Sequence, residues 1–334
     1  MNDAGTSEAP GAAAVLRLCA RAELPEPIGQ ARLEGGRNNR VYRLDFRDRS
    51  PALLKLYFRS PDDPRDRLGN EWAFSRFAWE RGCRQVPEPL ARDVEHRLGL
   101  YRFVEGRPLQ SAEVATDHVE QAVRFVGELN RGVDPRTLDD LPTASEVCFG
   151  LAEHAALVES RVQRCAVDAG AAQGFVAQEL IPRWRAVRSR LEDQAAQGLA
   201  DVGPAAASPS DFGFHNAILR PDGRLVFHDF EYAGQDDAAR IACDFFHQPR
   251  IPAPAERFHG FVQGLGAALG LGEAFAERCR ALRPVYAVKW ACIVLNPLTY
   301  AGAQRRGFAG VDHDPAELVE RARLVLNRFA HEGG

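Results

Sequence analysis

Between residues 31 and 104 apolar and polar positions alternate in short runs. Tyr42, Leu44 and Phe46 interleave with Val41, Arg43 and Asp45, and Leu54, Leu56 and Phe58 interleave with Leu53, Lys55 and Tyr57. A period of two marks a strand with one face on a core. Asp62-Asp63-Pro64 predicts a helix start, with a carboxylate cap and proline in the first turn, and Gly82 predicts its end after Arg81. Strand-like runs follow at 89–94 and 98–104. Beyond Gly106-Arg107-Pro108 the apolar spacing lengthens, and 111–131, 145–165, 175–197, 255–269, 273–295 and 315–330 fit helices. One hairpin, 217–228, interrupts them; the Ala/Gly/Pro-rich ends and 198–210 read as tails and loop. The expected class is α+β: a small mixed lobe over residues 1–105, with an antiparallel sheet and one helix, and a larger mainly helical lobe over 106–334. A cleft between two such lobes is a common ligand site.

Composition narrows the function. The formal net charge of −4 leaves no basic excess for counterion release, which argues against a dedicated nucleic-acid binder. Seven scattered cysteines form no C-x-x-C pair, so the expectation is reduced thiols in a cytoplasmic protein, without a disulfide framework or zinc site. The first fourteen residues carry Asp3 and Glu8 and no basic start, unlike a signal peptide. The most apolar stretch, 287–300, is broken by Lys289 and Pro297 and is shorter than the roughly 20 residues of a membrane span.

The most informative segment surrounds Pro221-Asp222-Gly223-Arg224, a strong hairpin signal. With Asp222 and Gly223 in a two-residue turn, Ile218 faces Phe227 and Asn216 faces Asp229. Opposed side chains share a face with Cβ atoms about 4.5–5.5 Å apart, a separation at which two oxygen ligands suit Mg²⁺. Asp211, five residues before Asn216, sits on a loop that Gly213 lets bend, and a carboxylate there can orient a hydroxyl and take its proton. Singly, each of these residues is a common turn former or cap; their joint spacing fits in-line phosphoryl transfer.

The small lobe offers a second half. Gly35-Gly36-Arg37-Asn38-Asn39 links two strands, either as an ordinary turn or as a loop whose N–H groups meet phosphates. It is not a Walker loop, since no Gly-Lys-Ser/Thr follows. Lys55 reads as a solvated edge lysine or as a phosphate-binding cation. Glu71 reads as an i,i+4 partner of Arg67 or as an ion-pair partner holding Lys55.

In this order the motifs resemble the aminoglycoside phosphotransferase and choline kinase family, whose fold is that of protein kinases, over about residues 30–300. The resemblance implies that Gly35, Gly36, Asn38 and Asn39 belong to the nucleotide loop, that Lys55 binds phosphates with Glu71 as its helix partner, and that residues 101–109 join the lobes and meet the purine. It implies Asp211 as catalytic aspartate, Asn216 and Asp229 as magnesium ligands, and Asp244 as a brace for the catalytic loop. It also implies transfer of the γ-phosphoryl group of ATP or GTP to a hydroxyl of a small metabolite, such as a sugar or amino alcohol. The chain departs from the family in carrying Pro209-Ser210 where His-Gly usually precedes the catalytic aspartate. A protein kinase lacks support without an Ala-Pro-Glu segment, and a hydrolase without a Gly-x-Ser-x-Gly elbow. A kinase fold used only for nucleotide binding is the other alternative. For a cationic acceptor, Asp236 and Asp237 are the candidate acids, with helix caps as their other reading, and Tyr232, Trp290 and Tyr300 the candidate aromatic cage, with core packing as theirs.

Overall fold

In the computed structural model, which describes residues 9–33, 39–59, 65–133, 138–299 and 314–329, the alternating runs pair into one antiparallel sheet. Its order is β1 (Gly29–Leu33), β2 (Arg40–Asp45), β3 (Ala52–Leu56), β5 (Leu98–Arg102) and β4 (Pro89–Asp93). Leu44, Leu54, Leu98 and Leu100 leave one face of the sheet and are fully buried with Val15 and Leu18. Those last two belong to a helix, α1 (Ala12–Arg21), which corrects the reading of the N-terminal end as tail. Its buried stripe is Ala14, Val15, Leu18 and Cys19, the i, i+4 spacing of an amphipathic helix.

The helix after β3, α2 (Arg67–Glu80), is capped by Asp66, whose carboxylate accepts the Gly69 N–H at 2.9 Å. The expected start at Asp62–Pro64 lies outside the described residues. The expected stop is observed, with Gly82 at φ +80°. Phe74 and Ala78 of this helix are buried in the second, larger core, so α2 ties the sheet to the helices that follow.

That larger part contains α3 (Thr116–Asn130), α4 (Leu151–Val167), α5 (Ile181–Ala196), α6 (Ala238–His247), α7 (Phe258–Leu269), α8 (Glu273–Leu295) and α9 (Pro315–Asn327). α8 is central, packing on α4, α6 and α9. α6 has no counterpart in the sequence reading for a physical reason. Its ten residues fall short of the window in which a helical period is read, and its polar stripe, Arg240, Asp244 and His247 at i, i+4 and i+7, is buried with the rest. Within 198–210, read as loop, lies β7 (Ala205–Ser208), paired with β10 (Gly234–Asp237). The side chain of Asn130 stands in for a neighbouring strand there, accepting the Ala207 N–H at 2.8 Å and donating to its carbonyl at 3.0 Å.

The hairpin forms one residue out of the expected register. β8 (Ala217–Leu219) and β9 (Leu225–Phe227) pair Ala217 with Phe227 and Ile218 with Val226. Gly223, at φ +79°, is the left-handed third residue of a loop Pro221-Asp222-Gly223 closed by Arg220 and Arg224, in place of a two-residue turn. A slip of one residue exchanges the faces of a strand, so Asn216 and Asp229 are not ladder partners. The His228 N–H instead donates to the Asn216 carbonyl at 3.0 Å.

Arg278 on α8, 2% exposed, donates to Asp237 Oδ2 at 2.7 Å and to the carbonyls of Phe149, Ala200 and Asp201. Asp237 caps α6 through the Ala239 N–H at 2.8 Å. One guanidinium thus holds three segments together. Arg278→Met strands a buried carboxylate and is expected to cost roughly 3–5 kcal/mol, read as a lowered urea midpoint with an unchanged denaturant slope.

Candidate functional site

A cavity of about 780 Å³ lies between the sheet and the helical part. Asn39, Lys55, Asp211, Asn216 and Asp229 all line it. Lys55 stands on the central strand β3, opposite Val41 on one side and Gly99 on the other. Its ammonium lies 2.8 Å from both carboxylate oxygens of Glu71 and 2.7 Å from Asp229 Oδ1. Glu71 therefore pairs with Lys55, while Arg67 donates to Glu231 at 2.7 Å and to the Tyr232 hydroxyl at 2.9 Å. The Tyr57 hydroxyl donates to Glu71 at 2.8 Å and lies 2.9 Å from the Tyr101 hydroxyl. Gly99 makes room for this chain, because a Cβ there would stand 2.8 Å from the Tyr101 ring. From the sequence Tyr57 shows only as a strand residue, and Tyr101 only within a strand-like run and as the start of the segment joining the lobes; the structure places Tyr101 within β5.

Burial disfavours the charged Lys55, but Asp229 and Glu71 outweigh it and hold its pKa above the usual lysine value. Burial likewise raises Glu71 against the pull of Lys55, whereas Asp229 is held low because Lys55 and its hydrogen bond outweigh its burial. Burial first, and then Lys55 and His215, push the neighbouring His228 down to about 4, so it is neutral at pH 7.

Each acid of the second half is followed by a phenylalanine that anchors it. Phe212 and Phe230 are 3% and 2% exposed, and both rings pack against Phe125, at centroid distances of 5.7 and 6.3 Å. With their neighbours fixed in one aromatic cluster, Asp211 and Asp229 are delivered to the cavity wall. The local backbone is strained to do so: Ser210 and Asp229 sit at φ +64° and +68°, a region costing roughly 1–3 kcal/mol for a residue with a Cβ. Ser210 occupies the position where the resembled family has glycine. Asn216 ends a short 3₁₀ turn (Phe214–Asn216), and its NH₂ donates to the Asp211 carbonyl at 3.0 Å, leaving the amide oxygen for another partner. His215 Nε2 stands 3.4 Å from Asp211 Oδ1. A carboxylate and an amide oxygen beside a paired lysine form the hard-oxygen donor set that suits Mg²⁺.

Other expectations are redistributed. Gly35, Gly36 and Asn38 lie outside the described residues, as does Tyr300. Asn39 is buried and joins the two halves: it donates to Glu231 at 2.6 Å and accepts the Phe58 N–H at 3.2 Å. Glu231, 1% exposed, thus receives donors from both Asn39 and Arg67. Asp244 braces no catalytic loop. Its partners among the described residues are Arg240, Lys289 and Trp290, at 3.1, 2.9 and 2.7 Å. Asp236 and Asp237 are fully buried and serve α6, Asp236 accepting the Cys148 and Asp237 N–H groups. Tyr232 and Trp290 do line the cavity.

Lys55→Met removes the one cation between Glu71 and Asp229. A loss of about 3 kcal/mol in unfolding free energy is expected, more than half of it recovered in the Lys55→Met/Glu71→Gln pair. Burial holds the Glu71 carboxyl above its ordinary value even with Lys55 beside it, and losing that cation raises it further. In the single variant stability is therefore full below its ordinary value of 4.5 and falls as pH rises. Urea titrations at pH 4 and pH 8 measure both effects.

The sequence model of a phosphotransferase enzyme family matches residues 29–282. No curated protein sequence matches the chain. Among solved structures, a choline/ethanolamine kinase family protein from Mesorhizobium loti superposes with a TM-score of 0.60 at 20% identity, covering 94% of each chain. The macrolide 2'-phosphotransferase MphH from Brachybacterium faecium gives 0.57 at 19% identity, over 94% of this chain and 98% of that one. A spectinomycin phosphotransferase in complex with ADP and spectinomycin gives 0.58 at 14%, over 90% and 94%. At these identities the likeness is one of fold, the two-lobed α+β fold of kinases. The family model spans most of the chain, and the chain belongs to the phosphotransferase enzyme family.

Proposed function

We propose that the protein is a small-molecule kinase that moves the terminal phosphoryl group of a nucleoside triphosphate, ATP or GTP, to a hydroxyl of a metabolite. The observation that carries this is the meeting, in one cavity, of a Glu71-held lysine with Asp229, Asn216 and Asp211. The lobes of residues 1–105 and 106–334 supply the two halves. The apolar Leu33, Val41, Leu53 and Phe103 of the cavity fit a purine, and the spectinomycin enzyme's ADP supports a nucleotide donor.

In this reading Lys55, kept cationic and aimed by Glu71, takes the α- and β-phosphates as a point charge. Asp229 and Asn216 would hold Mg²⁺, which when bound neutralises charge on the phosphate oxygens. Lys55 and Asp229 are paired directly at 2.7 Å, so a phosphate taken by Lys55 would release the Asp229 carboxylate to serve as a metal ligand. Asp211 orients the acceptor hydroxyl. Its oxygen attacks the γ-phosphorus in line, the bond to the bridging oxygen breaks, the diphosphate leaves, and the proton passes to Asp211. The β9–β10 connection, residues 228–233, is too short for the activation loop of a protein kinase, which supports a small acceptor. Seven cysteines, all unpaired and buried, support a reducing compartment such as the cytoplasm. No helix among the described residues is long and apolar enough to cross a membrane.

Asp211→Asn is expected to lower kcat by about 10²–10⁴-fold with little change in nucleotide affinity, the range for loss of a general base. A coupled ADP-release assay together with nucleotide titration reads both. Wild-type binding of nucleotide without any turnover would overturn the kinase reading in favour of a binding module. Chelation of divalent ions is expected to abolish turnover, and added Mg²⁺ to restore it.

A further inference from the structure

The far wall of the cavity, beyond Asp211, says which kind of acceptor fits. Nine lysines and arginines line the cavity among the described residues, against five acids: Glu146, Asp211, Asp229, Glu231 and Asp244. Four of the five are already paired with the chain's own cations: Glu146 with Arg161, Asp229 with Lys55, Glu231 with Arg67, and Asp244 with Lys289 and Arg240. Among the described residues only Asp211, assigned above to the hydroxyl, has no lysine or arginine partner. Asp244 in particular has no capacity left. Its Oδ1 accepts from Lys289 and Trp290, and its Oδ2 from Lys289 and Arg240.

The aromatic faces are spent in the same way. Arg65 and Arg67 lie over the Tyr232 ring at 5.2 and 5.3 Å, and Lys289 lies 5.9 Å from the Trp290 ring. Beyond Asp211, a cationic ligand would meet acids and ring faces that the chain's own cations already engage. Donors, in contrast, are left over. Arg161 is 9% exposed, and its Nε has no hydrogen-bond partner among the described residues. Lys289, 4% exposed, carries three N–H groups, and its contacts go to the one carboxylate of Asp244. Arg321 at the rim stands 4.0 Å from Glu317, beyond a hydrogen bond. A buried donor without a partner costs about 1–3 kcal/mol, which a bound anion would remove. Burial, and after it nearby Arg240, hold Lys289 below the usual lysine pKa in spite of Asp244 and Glu146.

Resting on the kinase reading above, we infer that the acceptor is a hydroxylated anion. Its carboxylate or phosphate is bound by Arg161 and Lys289, with Arg321 at the rim, while its hydroxyl lies at Asp211. Beyond Asp211, the same wall offers polycationic antibiotics and choline-like amines no acid free of a lysine or arginine of the chain.

The test is a set of acceptors alike in hydroxyls and different in charge: gluconate, glucose 6-phosphate, glucose and glucosamine. Each is offered to the full chain with ATP and Mg²⁺, followed by ADP release and by thermal shift in the presence of ADP. The expected result is a response to one or both anions at least tenfold stronger than to glucose or glucosamine. Which anion leads separates carboxylate from phosphate. Arg161→Gln is expected to raise the KM or apparent Kd for that anion at least tenfold, and Arg321→Gln by less, with nucleotide affinity retained as the check on folding. An equal response across the set, a preference for glucosamine, or no response to any member while ATP still binds would overturn the anion inference. The kinase reading fails separately, if ATP does not bind.

Discussion

One cluster of phenylalanines positions the chemistry. Phe212 and Phe230 each follow an acid in the chain, and each is sunk into the same packing around Phe125. Burying such rings is worth several kcal/mol, enough to offset the left-handed backbone at Ser210 and Asp229. The acids are therefore not held mainly by hydrogen bonds of their own. They are held by what stands next to them, which leaves their oxygens available for other partners. Phe74 of α2 joins the cluster at 4.7 Å from Phe230, so the helix that carries Glu71 is referenced to the same centre.

From that centre the electrostatics follow. Lys55 is nearly buried, and a buried ammonium is tolerable only with close anions. Glu71 is a permanent partner, shielded and tied to Tyr57 and Tyr101. Asp229 is a conditional one, because its side chain keeps 36% exposure to the cavity. The asymmetry separates a structural carboxylate from one that can change partner. Both are drawn to the same lysine, and only exposure tells them apart.

Much of this was legible in the sequence, though unevenly. Lys55 on the cavity side of a strand follows from its alternation with Leu54 and Leu56, a local pattern. That Glu71 would choose Lys55 over Arg67 is a tertiary choice, since Arg67 is drawn off by Glu231, a residue 164 positions away. The hairpin was found but set one residue out, because Pro-Asp-Gly supports both a two-residue turn and a three-residue loop with a left-handed glycine. The cavity still gathers Asn216 and Asp229, since both lie past the ladder and the left-handed turn at Asp229 redirects its side chain. α6 was missed because its ten residues are a short window, and its Arg240, Asp244 and His247 stripe is spent on buried surroundings rather than solvent. The Ala-rich α1 was hidden by its composition. Tyr232 and Trp290, read from the sequence as core or as an aromatic cage, do line the cavity, but the chain sets its own arginines and lysine against their rings, which no sequence pattern carries.

Glu231 has a mechanical consequence. Its two oxygens take Asn39 from just before β2 and Arg67 from the first turn of α2, so a single nearly solvent-free carboxylate clasps the small half to the large one at two points. Drawing the halves apart would abandon a charge in a dry site, so this contact resists their separation.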